Sequence, residues 1–345
     1  MDQIDRSLED RQHRLSTGIS VAPDFGTVHG CLLVVRGRGR FLRLQQAIGV
    51  SQPIPETVQR TCIHLTQNEK PDAGELRLTL RDLSEIQSAT VGLLKAAAGK
   101  YVDRILAVGV IDPGIWSQDF DGSRLYQGMC DASSLAEACG VNVIDAFPAR
   151  DIVCGGLGGP LAALPAWMLF ADRDTRLAST TRHLIVDTSA HSGVDKTDGK
   201  HKQTLDHFEL PPSDGLDVEL PRIHFEQSGP DRWQPRAKTN DDEWLIAGEA
   251  EFCQTVETKI QQTLGQRVTR LSNLVGEPVD FDAMIAATLG LFHVDQLPAN
   301  VLALTQADSQ RILGTLTPGS PSNWRNLIRS MAQYHPAPMR LKDAV

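Results

Sequence analysis

The chain has 345 residues, enough for two ordinary domains, and its 41% hydrophobic and 22% charged residues are the balance of a globular protein. A net charge of −9 argues against a general nucleic-acid surface, and no apolar run reaches the length of a membrane span. Six cysteines (Cys31, Cys62, Cys130, Cys139, Cys154 and Cys253) show no CxxC spacing, which points to reduced thiols in a cytoplasmic protein and away from a disulfide framework or a zinc site.

The first residues, MDQIDRSLEDRQHR, are charged and do not read as a signal peptide. Residues 1–15 read as a polar lead-in, and residues 18–48 cluster apolar residues as two strands would. Between those strands stands Arg36-Gly37-Arg38-Gly39-Arg40, whose glycines suit a hairpin tip. Residues 84–106, rich in Ala, Leu and Lys, predict a helix running into a strand at 105–110, which Asp112-Pro113-Gly114 then breaks. Residues 131–139 predict a helix closed by Gly140, followed by a strand at 141–144. A Gly-rich turn at 155–160, a helix at 161–170 and a buried strand at 184–187 come next. Residues 193–243 are rich in Asp, Lys, His, Pro and Gln and read as irregular or loosely strand-forming, a boundary between lobes. A strand at 244–247 precedes a helix with Phe252, Val256, Ile260 and Leu264 every four residues, and two further helices are predicted at 282–292 and 321–331. Strands and helices alternate, so the class is α/β.

The stretch 127–161, QGMCDASSLAEACGVNVIDAFPARDIVCGGLGGPL, resembles the pattern Q-I-G-D…I-A…T-G-I…V-V…D-F-R-x-x-D-I-A-x-G-G-Q-G-A-P-L of the anhydro-N-acetylmuramic acid kinase family. Asp131, Ala136, Gly140, Val143, Phe147, Asp151, Gly155, Gly156, Gly158, Pro160 and Leu161 fall on family positions without a gap. A second, collinear match covers residues 282–319, where Leu297-Pro298-Ala299-Asn300, Thr305, Ala307, Leu313-Gly314 and Pro318-Gly319 follow the closing pattern P-x-N-L-P-x-V-T-G-A…V-L-G-x-x-x-P. The resemblance implies a two-lobed actin-like ATPase or sugar-kinase fold with an interlobe cleft. Its N-terminal α/β lobe would span residues 16–160, and a reduced C-terminal α/β lobe would span 161–335 with an irregular insert at 194–243. It implies ATP and Mg²⁺ as the cofactors of an active member. The family reaction opens the 1,6-anhydro ring with water while phosphate passes to the 6-oxygen, in cytoplasmic recycling of the cell wall.

Phosphoryl transfer asks a protein for backbone N–H donors and a metal ion at the phosphates. Where the family has S-G-T-S-x-D-G-x-D, gapless alignment places residues 21–29, and Pro23 there lacks an N–H. Asp24-Phe25-Gly26-Thr27 offers a generic D-x-G-T phosphate turn in a shifted register, or a plain turn between two strands. On the nucleotide side the resemblance offers Asp187 and, at Ala247-Gly248-Glu249-Ala250, Gly248 without the family's C-G-G-G. For substrate it offers Asp131, Asp151, Gly155 and Gly156; Asp151 is equally well a helix cap or an ion-pair partner, and the glycines a tight packing turn. The family's S-H-G-Q-T stands at residues 110–114, and the first Asp and the Arg of its D-F-R are Ala146 and Pro148 here.

The family's general base, the Asp of D-T-G-P-G-N, has no clear counterpart after Asp187; the nearest echo is Glu226-Gln227-Ser228-Gly229-Pro230. Glu226, with Asp151, is the candidate for a catalytic carboxylate. His191, His201, His207 and His224 match no metal spacing, so no metal ligands are assigned. Trp116, Trp233 and Trp244 are candidates for sugar stacking or for core. Loss of a positioned base alone costs about 10²–10⁴ in rate. The expectation is therefore a degenerate pseudokinase that binds an amino-sugar ligand or a protein, as a homodimer or beside an active paralogue, with no nucleic acid and no membrane as partner. The alternative is an active ATP-dependent sugar kinase with an altered site.

Overall fold

The computed structural model describes residues 13–67, 72–118, 124–173, 180–188, 204–212, 223–230, 232–237, 239, 241–276 and 278–333. These residues fall into two compact units. The first contains the described residues up to Pro165 together with those at 278–333, and the second those of Ala166–Gly276.

The first unit begins with an antiparallel meander, β1 (His13–Val21), β2 (Thr27–Arg36) and β3 (Arg43–Pro53). Helices α1 (Glu56–Gln67) and α2 (Ala73–Ala98) follow, the latter started by Asp72, whose carboxylate accepts the Gly74 and Glu75 amides. Next come β4 (Ile105–Ile111), the hairpin β5 (Ile115–Gln118) and β6 (Arg124–Gln127), α3 (Ala132–Cys139), β7 (Asn142–Asp145), α4 (Phe147–Val153) and α5 (Ala163–Phe170). The second unit holds β8 (Arg182–Asp187), β9 (Leu205–Leu210), β10 (His224–Ser228), β11 (Glu243–Ala247), α6 (Ala250–Leu264), β12 (Val268–Arg270) and α7 (Leu271–Val275). The chain then returns to the first unit with α8 (Phe281–Val294), α9 (Leu302–Thr305), β13 (Thr315–Thr317) and α10 (Pro321–Ala332).

Both sheets are built alike. The first has the order β13-β7-β4-β1-β2-β3, and the second the order β10-β9-β8-β11-β12. In each, three antiparallel strands are followed by two that run parallel to the first of them: β4 and β7 beside β1, β11 and β12 beside β8. This shared plan is that of two related α/β lobes, as the sequence implies.

Strand parity decides what covers each face of the first sheet. Ile19 pairs with Gly30, and a Cβ on Gly30 would press on Thr90 and Leu94 of α2. The neighbouring pair, Gly18 with Cys31, therefore faces the other way, and a Cβ on Gly18 would overlap the Ala283 carbonyl and the Ala287 amide of α8. Gly109, level with Gly18 on β4, meets the Ala286 carbonyl in the same way. Helix α8 is apolar nearly all round and lies flat on these glycines, which matches its burial on all sides. The Asp295 carboxylate at its C-terminal end takes both terminal nitrogens of Arg14 at 2.8 Å and the Gly39 amide at 2.8 Å, which ties the predicted Arg36–Arg40 hairpin tip to the helix end.

Two expectations change here. The C-terminal lobe drawn at 161–335 ends earlier, because α8 seats on β1 and β4, and β13 pairs with β7 at the sheet edge. The insert at 194–243 is not merely irregular: its described residues include β9 and β10, which pair in sequence beside β8. The apolar residues of those strands are too short a run to announce themselves among the Asp, Lys and His around them.

The core of the second unit encloses a directional polar chain. The Trp233 Nε1–H, which can only donate, reaches His207 Nδ1 at 3.3 Å. Neutral His207 then carries its proton on Nε2 and donates to His183 Nδ1 at 3.0 Å, and His183 donates from Nε2 to Asp242 at 3.2 Å. Trp244 stacks on His183, with centroids 4.2 Å apart, so Trp233 and Trp244 are core residues. Burial, and then the neighbouring His183, push His207 down to about 4.

Two predictions follow from this packing. Gly109→Ala would force α8 off the sheet and lower stability by about 1–3 kcal/mol or more, read from the midpoint of urea unfolding. His207 stays neutral when folded but takes a proton near its ordinary value when unfolded. The second unit should thus lose roughly 3 kcal/mol as pH falls from about 6.5 to about 4, and His207→Gln should flatten that dependence.

Candidate functional site

In open α/β sheets ligands sit beyond the carboxyl ends of the parallel strands. In the first unit that edge is formed by the β1–β2 turn after Val21, by Asp112 after β4 and by Asp145 at the end of β7. The ladder pairs Ser20 with Ile111 and Gly109 with Ile144, which brings the three together.

The β1–β2 turn carries the predicted residues Asp24, Gly26 and Thr27, and it is closed on itself. The Ala22 amide donates to the Thr27 carbonyl at 2.9 Å, the Phe25 amide to the Ala22 carbonyl at 2.8 Å, and the Gly26 amide to Asp24 Oδ1 at 2.8 Å. Pro23 has no N–H. Phe25 adopts a left-handed conformation, with φ of 56°, and its ring is buried, 2% exposed, in the hydrophobic core. The ring's burial holds the turn in this shape.

The glycine loop after α4 is closed in the same sense. The Gly155 amide donates to the Ile152 carbonyl, the Gly156 amide to the Asp151 carbonyl, the Leu157 amide to the Thr305 carbonyl, and the Gly158 amide to Asp151 Oδ2, all between 2.8 and 3.0 Å. Asp151 is fully buried, and its other oxygen accepts Asn300 Nδ2 at 3.0 Å. The two stretches that carry the sequence resemblance thus meet at Asp151 and Asn300. A side chain on Gly156 would overlap the Asp151 carboxylate, which explains the glycine without a ligand. Asp131 caps α3 through the Ser134 amide and hydroxyl and pairs with Arg77 at 2.8 Å. Burial raises its carboxyl, but those partners outweigh it and hold it below its ordinary value.

In the second unit the structure brings Asp187 and Gly248 together at the matching edge. They follow the paired residues Val186 and Ala247, and a Cβ on Gly248 would overlap Asp187 Cβ. Glu226 is elsewhere. It is exposed in the ladder of edge strand β10, opposite His207, which in turn pairs with Ile185, two residues inside the Asp187 edge. His224 is exposed at the start of β10, and His191 and His201 lie outside the described residues.

The Ala22, Phe25 and Gly26 amides of the turn and the Gly155, Gly156, Leu157 and Gly158 amides of the glycine loop have partners within the chain. Neither loop offers these amides free to a phosphate in the family manner. Among the described residues there is no group of three His, Cys, Asp or Glu side chains able to hold a metal ion.

Sequence reasoning missed an acidic pair. Asp112 is buried; its Oδ1 accepts the Met129 amide at 2.9 Å and the Tyr126 hydroxyl at 3.3 Å, while Oδ2 has no partner. Burial pushes its carboxyl up to about 6 against the pull of Met129, Tyr126 and the Gly114 amide. Asp145 is raised to about 6 by burial and then by the charge of Asp112. The signal was present: each acid directly ends or follows an apolar strand that runs parallel to β1.

Because Asp112 holds its proton more tightly folded than unfolded, stability falls as pH rises from about 3.8 to about 6, and the full penalty persists at neutral pH. Asp112→Asn keeps the acceptor and should stabilise the first unit at pH 7 by about 1–3 kcal/mol, an advantage that disappears below about pH 4. Urea unfolding across that range reads both effects.

No helix among the described residues is long and apolar enough to cross a membrane. Residues 32–181 match the family model of anhydro-N-acetylmuramic acid kinase. That span runs from within β2 to the residue before β8 and takes in the glycine loop. No curated protein matches the chain. Over residues 32–181, less than half of its length and including the Asp151 loop, the chain is similar to the anhydro-N-acetylmuramic acid kinases.

Proposed function

We propose that this sugar-kinase-like protein is a pseudokinase of cytoplasmic cell-wall recycling, acting by binding an amino-sugar ligand or a protein partner. A second copy of the chain or an active paralogue is the partner this reading favours. The observation that carries it is the closure of both loops that would meet phosphate. A phosphate bound at the β1–β2 turn would have to break the bonds of the Ala22, Phe25 and Gly26 amides and lift the Phe25 ring from the core. One bound at the glycine loop would have to displace Asp151 and Thr305 as acceptors. Each buried acceptor left without its donor costs about 1–3 kcal/mol. The position of Glu226 supports the same reading, because its side chain stands exposed on the edge strand β10 rather than at the carboxyl edge of the sheet.

The experiment is calorimetric titration with Mg·ATP, together with a phosphate-transfer assay on 1,6-anhydro-N-acetylmuramic acid. The expected result is no saturable heat at micromolar nucleotide and no 6-phosphate. Micromolar binding, about −8 kcal/mol, would contradict the reading. Turnover abolished by Glu226→Gln, with folding unchanged, would return the chain to the active kinases.

A further inference from the structure

The carboxyl edge of the first sheet holds a group of side chains that neither closed loop uses. Asp112 and Asp145 end two neighbouring parallel strands, and the β5–β6 hairpin stands beside them. Tyr126 on that hairpin reaches Asp112 with its hydroxyl and packs against Trp116, ring centroids 4.9 Å apart and tilted by 59°. The Trp116 indole is fixed by its Nε1–H, which donates to the Pro113 carbonyl at 2.8 Å, yet the residue remains 43% exposed. The aromatic wall is therefore held in place and open to solvent on one side.

Asp112 itself is incomplete. Asp112 is 7% exposed, and its Oδ2 is buried without any hydrogen-bond partner. Gly128 leaves room beside it: a Cβ there would stand 3.7 Å from Oδ2 and 3.5 Å from the Tyr126 hydroxyl, ordinary contact with no overlap. Among the described residues no basic side chain pairs with Asp112 or Asp145. The other ionisable groups nearby bring no cation either. The Cys62 and Cys130 thiols are raised by burial and by these acids, and Asp131 is already engaged by Arg77.

We propose that Asp112 and Asp145, walled by Tyr126 and Trp116, form a recognition site for the primary ammonium group of a small molecule. An ammonium brings three N–H donors and a positive charge. One donor completes Asp112 Oδ2, the charge relieves the repulsion between the acids, and the aromatic wall favours a cation over a neutral group. A neutral hydroxyl would supply one donor and leave the repulsion in place. A divalent cation on two carboxylates would keep a shell of water, which gains nothing from the aromatic wall of Tyr126 and Trp116.

The proposal deepens the binding-protein reading by naming a ligand class, and it rests on that reading only in placing a small molecule here. Nucleotide turnover tests the earlier reading alone, and amine binding tests this one alone. The probe is cyclohexylammonium, with cyclohexanol as its uncharged counterpart of the same shape, titrated calorimetrically into the full chain. Cyclohexylammonium should saturate at millimolar concentration and bind at least tenfold tighter than cyclohexanol. Its affinity should fall at least tenfold between about pH 7.5 and about pH 5, as both acids take protons. Asp112→Asn and Trp116→Ala should each weaken it at least tenfold, with Asp145→Asn as the substitute should either variant fail to fold. Equal binding of the two probes, no saturation, or affinity unchanged in Asp112→Asn would overturn the proposal.

Discussion

Helix α8 can lie against the first sheet only where the strands have no side chains to hold it off. Gly18 on β1 and Gly109 on β4 stand level in the ladder, and the backbone of α8 occupies the space a Cβ would need at either position. Ser16 adds a hydrogen bond from its hydroxyl to the Ala287 carbonyl at 2.8 Å, and the Arg14–Asp295 pair locks the far end of the helix. A fully buried ion pair contributes little net stability by itself but is expensive to break on one side, so it acts as a register pin. With α8 fixed, the chain beyond it is delivered to the edge of the same sheet, where Asn300 meets Asp151 and Thr305 meets the glycine loop. The meeting of Asn300 and Thr305 with the glycine loop thus depends on two glycines, Gly18 and Gly109, far from them in sequence.

That delivery also explains why the packing requires family-like residues whatever chemistry the chain performs. Asp151 and the glycines of its loop satisfy one another and the α9 segment, so their residue types are required by packing alone. The same applies to Asp131 as a helix cap. A backbone amide can donate to a neighbouring carbonyl or to a bound phosphate, but a loop that already satisfies its donors must be broken before it can bind. Retained motif residues are therefore weak arguments for retained activity here, and the hydrogen-bond partners of the loop are the stronger ones.

Much of the fold was legible in the residues. The α/β class, the hairpin tip at Arg36–Arg40, the helix closed by Gly140 and the buried strand ending at Asp187 all follow from apolar spacing and turn chemistry. The first strand was blurred, because β1 is buried on both faces and so carries no alternation. The return of α8 to the first unit was not legible either, since a helix apolar on every side does not say which sheet it covers. At the site, Asp187 and Gly248 were named separately from the resemblance, and the structure sets them side by side. Asp112 was seen only as part of a chain break, because a sequence shows that Asp-Pro-Gly turns but not that the carboxylate points inward.

Two of the buried ionisable groups among the described residues make an instructive contrast. In the second unit the chain from Trp233 through His207 and His183 to Asp242 is complete: every nitrogen has a defined role, and Asp242 also accepts the Thr239 hydroxyl at 2.8 Å. Such a network needs nothing from outside and specifies a core. In the first unit burial raises Asp112, burial and the charge of Asp112 raise Asp145, Asp112 keeps an oxygen without a donor, and the space beside it is left by a glycine. Both groups are costly to bury, but only the first is answered by the chain itself. An acid pair next to a half-exposed indole, at the edge where α/β sheets take ligands, is the part of this molecule whose chemistry is finished by something it binds.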